Sequence, residues 1–367
     1  MREGTRPQPD LTLALTTLML LATGLVLIYS SSAILSLGRH QDSYFFIKRQ
    51  LVFAVLGVVA LVVILRQDWA ELRGWSGLFM IAVLGLLTLT LVPHVGIVAG
   101  GARRWLGFGA FRIQASELAK IALVLFAADR LSTPAPATGF SWKAGKAPVV
   151  LAAVLAAGLT LREPDFGSAV MMLGIVAAML FAAGLRLKFF VIPFLLAVPA
   201  GGFFILHSAY RMRRIAAFLD PWKDPNGVGF QITHSLMAFG TGGLAGQGLG
   251  EGKQKLYYLP EPHTDFIFST AGEEFGFAGC LILMLMFMVL LWRGMMISLK
   301  NQDSFLKLAS FGITLMLGFQ ILLNLWVVLG LFPTKGTTLP FLSYGGSALT
   351  VDLVAVGLLL NFSKDLK

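Results

Sequence analysis

The chain is 367 residues long, 56% of them hydrophobic and 13% charged, with a formal net charge of +10. Charged residues reach about half of their usual share of roughly 25% in soluble domains, which excludes a water-soluble globular fold. The one cysteine excludes a disulfide within the chain, and the five scattered histidines lack the spacing of a zinc or iron–sulfur site.

Long apolar blocks recur at Leu11 to Ile28, Val149 to Leu161, Val170 to Leu185 and Leu281 to Trp292. A helix needs roughly 20 mostly apolar residues to cross a bilayer, so repeated blocks predict repeated crossings. In chain order the predicted spans are 11–35, 47–65, 74–92, 115–131, 147–161, 166–185, 189–207, 266–292, 305–331 and 346–362, ten in all, the fourth, fifth and tenth being short. The first block is too long for a cleaved signal peptide and reads as an uncleaved helix. Gly and Pro inside several spans are compatible with membrane helices. Cys280, inside an apolar run, reads as a packing residue. The expected fold is all-α: a polytopic integral membrane protein forming a single membrane domain over residues 1–367.

With the amino terminus placed in the cytoplasm, the termini, short loops and adjoining span ends carry fourteen Lys and Arg inside against eight outside. The long 208–265 loop is set aside because long loops obey the positive-inside rule poorly. Both termini are therefore expected in the cytoplasm. The loops at 93–114, 208–265 and 332–345 then share the outer side, with 208–265 as a large extracytoplasmic loop between the seventh and eighth spans. Within it, Ile232, Leu236 and Phe239 have the spacing of a short amphipathic helix lying on the membrane surface. The Gly-rich stretch from Gly240 to Gly250 lacks a Walker Gly-Lys-Ser/Thr sequence and a strand-helix context, so nucleotide binding is rejected there.

Four stretches carry residues suited to chemistry. In Leu259-Pro260-Glu261-Pro262-His263-Thr264-Asp265-Phe266, a carboxylate and an imidazole stand immediately before a long apolar run. Asp265 there suits either a general base for a sugar hydroxyl or a helix cap. In Ser116-Glu117-Leu118-Ala119-Lys120, the two charges share a helical face and can pair. Charge at that depth costs several kcal/mol, so the pair faces a cavity or another helix. Outer-loop cations at Arg103, Arg104, Arg112, Arg211, Arg213, Arg214, Lys253, Lys255 and Lys335 suit a phosphate or anionic lipid headgroups. The run from Pro333 to Ser347 combines turn-formers with one cation and reads as an ordered loop dipping into the membrane, or as a plain interhelical turn. Arg162-Glu163-Pro164-Asp165 adds two carboxylates near the interface, and Glu273 and Glu274 line the same cavity or pack against polar helix partners.

Together, Gly101-Ala102-Arg103-Arg104-Trp105, Ser116-Glu117-Leu118-Ala119-Lys120, Pro164-Asp165, the stretch from Gln254 to Phe268 and Pro333-Thr334-Lys335-Gly336 resemble the SEDS family of peptidoglycan glycosyltransferases. The resemblance runs from about residue 100 to 350 and is nearer to the division-type FtsW branch than to the elongation-type RodA branch. Ala115 stands where the family often has Pro, Glu163 where Gln is common, and Ala348 where a second Ser usually follows Ser347.

The resemblance implies a lipid II polymerase in the bacterial cytoplasmic membrane, its active site facing outward. It implies Asp265 as the catalytic carboxylate and Arg103, Arg104, Lys335, Glu117, Lys120, His263 and Ser343 as substrate-binding residues. It implies a class B penicillin-binding transpeptidase as partner, and no nucleic acid. No cofactor is called for, although the diphosphate chemistry leaves room for a divalent cation. A lipid II transporter and a non-enzymatic scaffold for the transpeptidase are the competing readings, since buried charges and broken helices suit transporters as well.

Overall fold

The computed structural model describes residues 8–99, 102–108, 111–133, 146–254 and 262–366. Gly101, Lys143, Lys255 and residues 256–261 of the stretch before Asp265 lie outside the described residues.

Each of the ten predicted apolar segments is helical. They are α1 (Leu11–His40), α2 (Phe45–Arg66), α3 (Trp69–Leu91), α4 (Ala115–Ser132), α5 (Lys146–Arg162), α6 (Phe166–Ala182), α7 (Lys188–Leu206), α10 (Ile267–Lys300), α11 (Ser304–Val328) and α12 (Gly346–Ser363). Between α7 and α10 lie α8 (Ala209–Leu219), a 3-10 turn (Pro221–Lys223) and α9 (Phe230–Gly242). Among the described residues six helices, α1, α2, α3, α10, α11 and α12, are long and apolar enough to cross a membrane. The chain is thus a mostly helical, polytopic membrane protein.

The helices are arranged as a bilayer demands. Leu51, Val52, Val55, Leu56, Val59, Val62 and Val63 on α2 are exposed, an apolar face suited to lipid. The polar side chains Glu117, Lys120, Gln320 and Asp352 point inward and are buried. α4 holds the centre, packed on α3, α5, α6, α11 and α12. Its first turn therefore tolerates Ser116, Glu117 and Lys120, which make it read as a weak span in sequence.

Aspartates start several helices. Asp68 accepts from Ala70 N at 2.9 Å, Asp165 from Ser168 N at 3.1 Å, and Asp303 from Phe305 N and Leu306 N at 2.8 and 3.1 Å. Asp10 accepts from Leu13 N at 3.0 Å and pairs with Arg293 Nη2 at 2.5 Å, while its own N–H donates to Ser363 Oγ at 2.9 Å. These contacts put the start of α1 and the end of α12 at one end of the bundle.

Three findings go beyond the sequence reading. The 93–114 loop folds into an antiparallel sheet of β1 (Ile97–Ala99), β2 (Ala102–Phe108) and β3 (Phe111–Gln114), in the order β1-β2-β3. Strands of three, seven and four residues are too short for a clear alternating signal. α9 forms where the 232/236/239 spacing expects a helix, and beyond that reading it packs against α10 and α11. Ile232 is buried, and Ser235 Oγ meets Ser269 Oγ at 2.6 Å and Val328 O at 2.5 Å. Finally, the Gly-rich stretch closes a break in α10 at Gly276, whose φ of 66° no ordinary helix residue adopts. Phe277 N donates to Gly243 O at 2.9 Å and Gln247 N to Glu273 O at 2.9 Å, satisfying backbone groups freed by the break. Glu273 Oε1 accepts from Lys253 N at 2.8 Å, and Glu274 Oε1 from Ser30 Oγ at 2.6 Å. Both carboxylates tie neighbouring segments together and neither lines the cavity described below.

The 332–345 loop enters the bundle. Leu339, Phe341 and Leu342 are buried, and a Cβ at Gly24, near the middle of α1, would stand 2.2 Å from Phe341 O. Gly24→Val is expected to destabilise the fold by about 1–3 kcal/mol through overpacking, read as a lower thermal midpoint in detergent. An unchanged midpoint would contradict this close approach.

Candidate functional site

A cavity of about 330 Å³ opens at the end of the bundle opposite the termini. Four helices begin there, and each contributes lining residues: Glu117 and Lys120 from α4, Ser168 from α6, Thr264 and Asp265 just before α10, and Ser347 from α12. Helix starts carry partial positive charge on their unpaired N–H groups, so their convergence favours an anionic ligand.

Asp265 is positioned through the backbone on either side of it. His263 O accepts from Tyr344 N at 2.8 Å, Thr264 O from Ser343 Oγ at 2.7 Å, and Asp265 O from Asn324 Nδ2 at 2.9 Å. The same Asn324 amide donates to Thr337 O at 2.7 Å, and Gln50 on α2 bonds Ser343 O and Gly345 N at 3.3 and 3.2 Å. Two loops from opposite sides of α11 are thereby stitched into one wall. A Cβ at Gly336 would come within 2.9 Å of Asp265 Oδ2, so the loop backbone runs directly beside the carboxylate. The N-cap position of α10 is Phe266, which makes no side-chain cap bond.

The floor of the cavity is charged. Lys120 Nζ pairs with Glu117 Oε2 at 2.7 Å, both almost fully buried. Gln320, with its oxygen turned toward Lys120 Nζ at 2.5 Å, donates from its amide nitrogen to Asp352 Oδ1 at 3.2 Å. Two carboxylates thus bracket one ammonium through an amide.

The side wall comes from β2 and the turn before α6. Successive residues of a strand face opposite ways. Arg104 lines the cavity, with Nε donating to Glu163 O at 3.0 Å and Nη2 to Pro164 O at 2.7 Å. Arg103 faces away, its guanidinium on Leu91 O at 3.4 Å, so of the two arginines expected to bind substrate, Arg104 lies in the cavity wall and Arg103 does not. Asp165, in the same turn, also lines the cavity. Burial pushes its carboxyl up, but Lys335, Arg104 and the Ser168 hydrogen bonds outweigh burial and hold it below the usual range. Lys335 packs against Gly167 behind this wall, and its buried Nζ has no hydrogen-bond partner among the described residues. Burial lowers it to about 8, against the opposing pull of Asp165.

His263 and Ser343 sit behind the cavity rather than in it. The His263 ring contacts Phe46 and Tyr344, with centroids 4.3 and 5.5 Å away. Burial, with Arg39 nearby, lowers its pKa to about 4 and leaves it neutral near pH 7. Ser343 Oγ is occupied by Thr264 O and by Leu339 N, the latter at 2.8 Å. Neither residue lines the cavity, and Ser343 Oγ bonds the backbone carbonyl next to Asp265. Asn324, Gln320, Gln50 and Asp352 escaped the sequence reading. Their signal was present, since a polar side chain inside an apolar helix is costly unless it has a task.

Two substitutions test this frame. Asn324→Leu leaves Asp265 O and Thr337 O without their donor and is expected to cost about 1–3 kcal/mol, read as a lower thermal midpoint; an unchanged midpoint would refute the stitching. Lys120→Met leaves the buried Glu117 carboxylate without its partner and is expected to cost about 3–5 kcal/mol. Adding Glu117→Gln should recover part of that loss in the same melting experiment, and additive losses would contradict the coupling.

The FtsW/RodA/SpoVE cell cycle protein family model matches residues 11–367. Stage V sporulation protein E of Bacillus subtilis (strain 168) is 45% identical over 361 residues, 98% of each chain. A probable peptidoglycan glycosyltransferase FtsW of Geobacter metallireducens is 43% identical, over 98% of this chain and 95% of that one. Among solved structures, a peptidoglycan synthase complex that coordinates polymerisation and crosslinking has a chain 31% identical with a TM-score of 0.79, covering 97% of this chain and 98% of that one. Thermus thermophilus rod shape determining protein RodA is 29% identical with a TM-score of 0.71, covering 98% of this chain and 97% of that one. The chain belongs to the FtsW/RodA/SpoVE family of cell cycle proteins.

Proposed function

We propose that this protein is a peptidoglycan glycosyltransferase that polymerises lipid II, acting on the FtsW and SpoVE side of its family. The observation that carries the reading is a carboxylate, Asp265, held rigidly in a cavity that also presents Arg104, Lys120 and four helix starts. A general base beside an anion-binding wall is what transfer from a lipid diphosphate requires.

In the proposed reaction, Asp265 removes the proton from the 4-hydroxyl of the acceptor N-acetylglucosamine. The oxygen attacks the anomeric carbon of the donor N-acetylmuramic acid as the bond from that carbon to the diphosphate oxygen breaks. The configuration inverts, and undecaprenyl diphosphate leaves with the bonding electron pair. Arg104 and Lys335 stabilise the charge that develops on the diphosphate, and the Glu117–Lys120 pair shapes the floor. Among the described residues no group of three or more His, Cys, Asp or Glu side chains could hold a metal ion, and no step is assigned to a divalent cation.

The topology that goes with this reading has ten spans, both termini in the cytoplasm, and the cavity and residues 208–265 outside. The fourteen-to-eight charge bias of the termini, short loops and adjoining span ends supports it. So does the position of the cavity at the end away from Asp10 and Ser363. The bacterial cytoplasmic membrane is the matching location. A class B penicillin-binding transpeptidase is the matching partner, as the similarity to a chain of a peptidoglycan synthase complex suggests.

The test is reconstitution with lipid II and the transpeptidase. Asp265→Asn is expected to lower strand synthesis by about 10²–10⁴-fold while the protein remains folded. Equal synthesis by both proteins would remove the general base. Passage of fluorescent lipid II across liposomes without polymer would replace catalysis by transport, and neither activity would leave a scaffold.

A further inference from the structure

Glu163 stands at the edge of the cavity wall without lining it. Its side chain is completely buried, and Thr90 Oγ1 on α3 lies within hydrogen-bond distance of Glu163 Oε1. The same hydroxyl is 2.7 Å from Leu87 O. A hydroxyl has one proton, and a carbonyl oxygen cannot donate. Thr90 Oγ1 is placed to donate to both Leu87 O and Glu163 Oε1 and can serve only one of them at a time, so a carboxyl that holds its own proton relieves the shortage. The other oxygen, Oε2, is buried with no partner among the described residues, whereas an ionised carboxylate demands donors at both oxygens.

The surrounding charges define what that proton controls. On β2, Arg103 turns to Leu91 O, while Arg104 donates to the backbone carbonyls of Glu163 and Pro164. In the turn itself stand Arg162 and Asp165, with Lys335 beyond Asp165. α3 presents the Thr90 hydroxyl. Arg104 is therefore held by neutral carbonyls next to a carboxyl group. With that carboxyl neutral, the guanidinium keeps its charge for the cavity. With it ionised, a second anion joins Asp165 beside the same guanidinium and competes with any anionic ligand.

We propose that Glu163 is a positioning residue held as a neutral carboxylic acid, and that its ionisation weakens diphosphate binding by drawing Arg104 toward itself. Glutamine, the residue common at this place in the resembling family, would do the neutral part of this task without the switch. Burial raises the Glu163 pKa to about 7, with Asp165 adding to the rise and Thr90 and Arg104 opposing it. The sign follows: a carboxyl whose folded pKa lies above its unfolded value of 4.5 contributes stability that is complete below about 4.5 and lost as pH rises through about 7. Between pH 6 and 8 the neutral fraction falls about tenfold, and apparent affinity for a ligand of the neutral form falls with it.

The inference rests on the cavity being a diphosphate site, so the test uses readouts independent of polymerisation. Infrared spectra of the purified protein in detergent are recorded from pH 5 to 9 for wild type and Glu163→Gln. A protonated-carboxyl carbonyl band that titrates near pH 7 and is missing in the variant is expected, and its absence from wild type overturns the proposal. Binding of inorganic diphosphate is then measured by calorimetry. The ratio of wild-type to variant dissociation constants is expected to rise about tenfold from pH 6 to pH 8. A titrating band with a constant ratio also overturns the proposal, because Glu163 would then ionise without affecting Arg104. Glu163→Leu, neutral but unable to bond Thr90, separates charge from positioning: it should lose the pH dependence yet bind more weakly than Glu163→Gln at every pH. If all these results appear but no variant polymerises lipid II at any pH, the proposed reaction fails and the diphosphate switch stands.

Discussion

Three consecutive backbone carbonyls, those of His263, Thr264 and Asp265, accept hydrogen bonds from Tyr344 N, Ser343 Oγ and Asn324 Nδ2. Everything proposed about the site depends on this seam. Without it the segment before α10 and the loop after α11 would be two separate pieces of irregular backbone at the membrane boundary, each short of partners. Joined, they satisfy one another, and the loop can pass into the bundle as far as Gly24 of α1. Irregular backbone is tolerated at such depth when protein replaces water as the bonding partner. The seam also uses main-chain groups on the Asp265 side, which leaves its carboxylate directed into the cavity it lines.

The second organising constraint is the cost of charge inside a bilayer. Glu117, Lys120, Gln320 and Asp352 form one connected group, and α4, which carries two of them, is enclosed by five other helices. Charge is gathered where the cavity needs it and shielded from lipid by the apolar outer faces of helices such as α2. The converging helix starts add favourable potential for an anion without adding a titratable group. Arg104 completes the wall because a strand, unlike a helix, sends neighbouring arginines in opposite directions.

Much of this was legible in the sequence. The apolar blocks placed all ten long helical segments, since a span must be apolar whatever it packs against. The types of residue at the site were legible too: Asp265 before a long helix, Glu117 and Lys120 three apart, Arg104 in a basic loop. What sequence lacks is register and enclosure. It could not separate Arg103 from Arg104 without the pairing of Val98 with Arg103 and of Trp105 with Gln114. Nor could it show that His263 and Ser343 stand behind the carboxylate, since that depends on partners far away in the chain, Phe46 for His263 and Thr264 for Ser343. The 232/236/239 pattern correctly marked a helix, but an apolar stripe does not by itself name its partners, which here include α10 and α11. Asp352 was readable as a lone acid in an apolar helix; a loop-centred search for chemistry passed over it.

The proposed reaction needs the Asp265 carboxylate to meet substrate in a cavity that opens outside the cell, away from both termini. Thiol labelling tests it most directly, because Cys280 is the single native cysteine and is buried. In a Cys280→Ser background carrying Asp265→Cys, a membrane-impermeant maleimide added to intact cells should label the new thiol. Prior incubation with lipid II should protect it. Labelling only after the reagent reaches the cytoplasmic face would contradict the account.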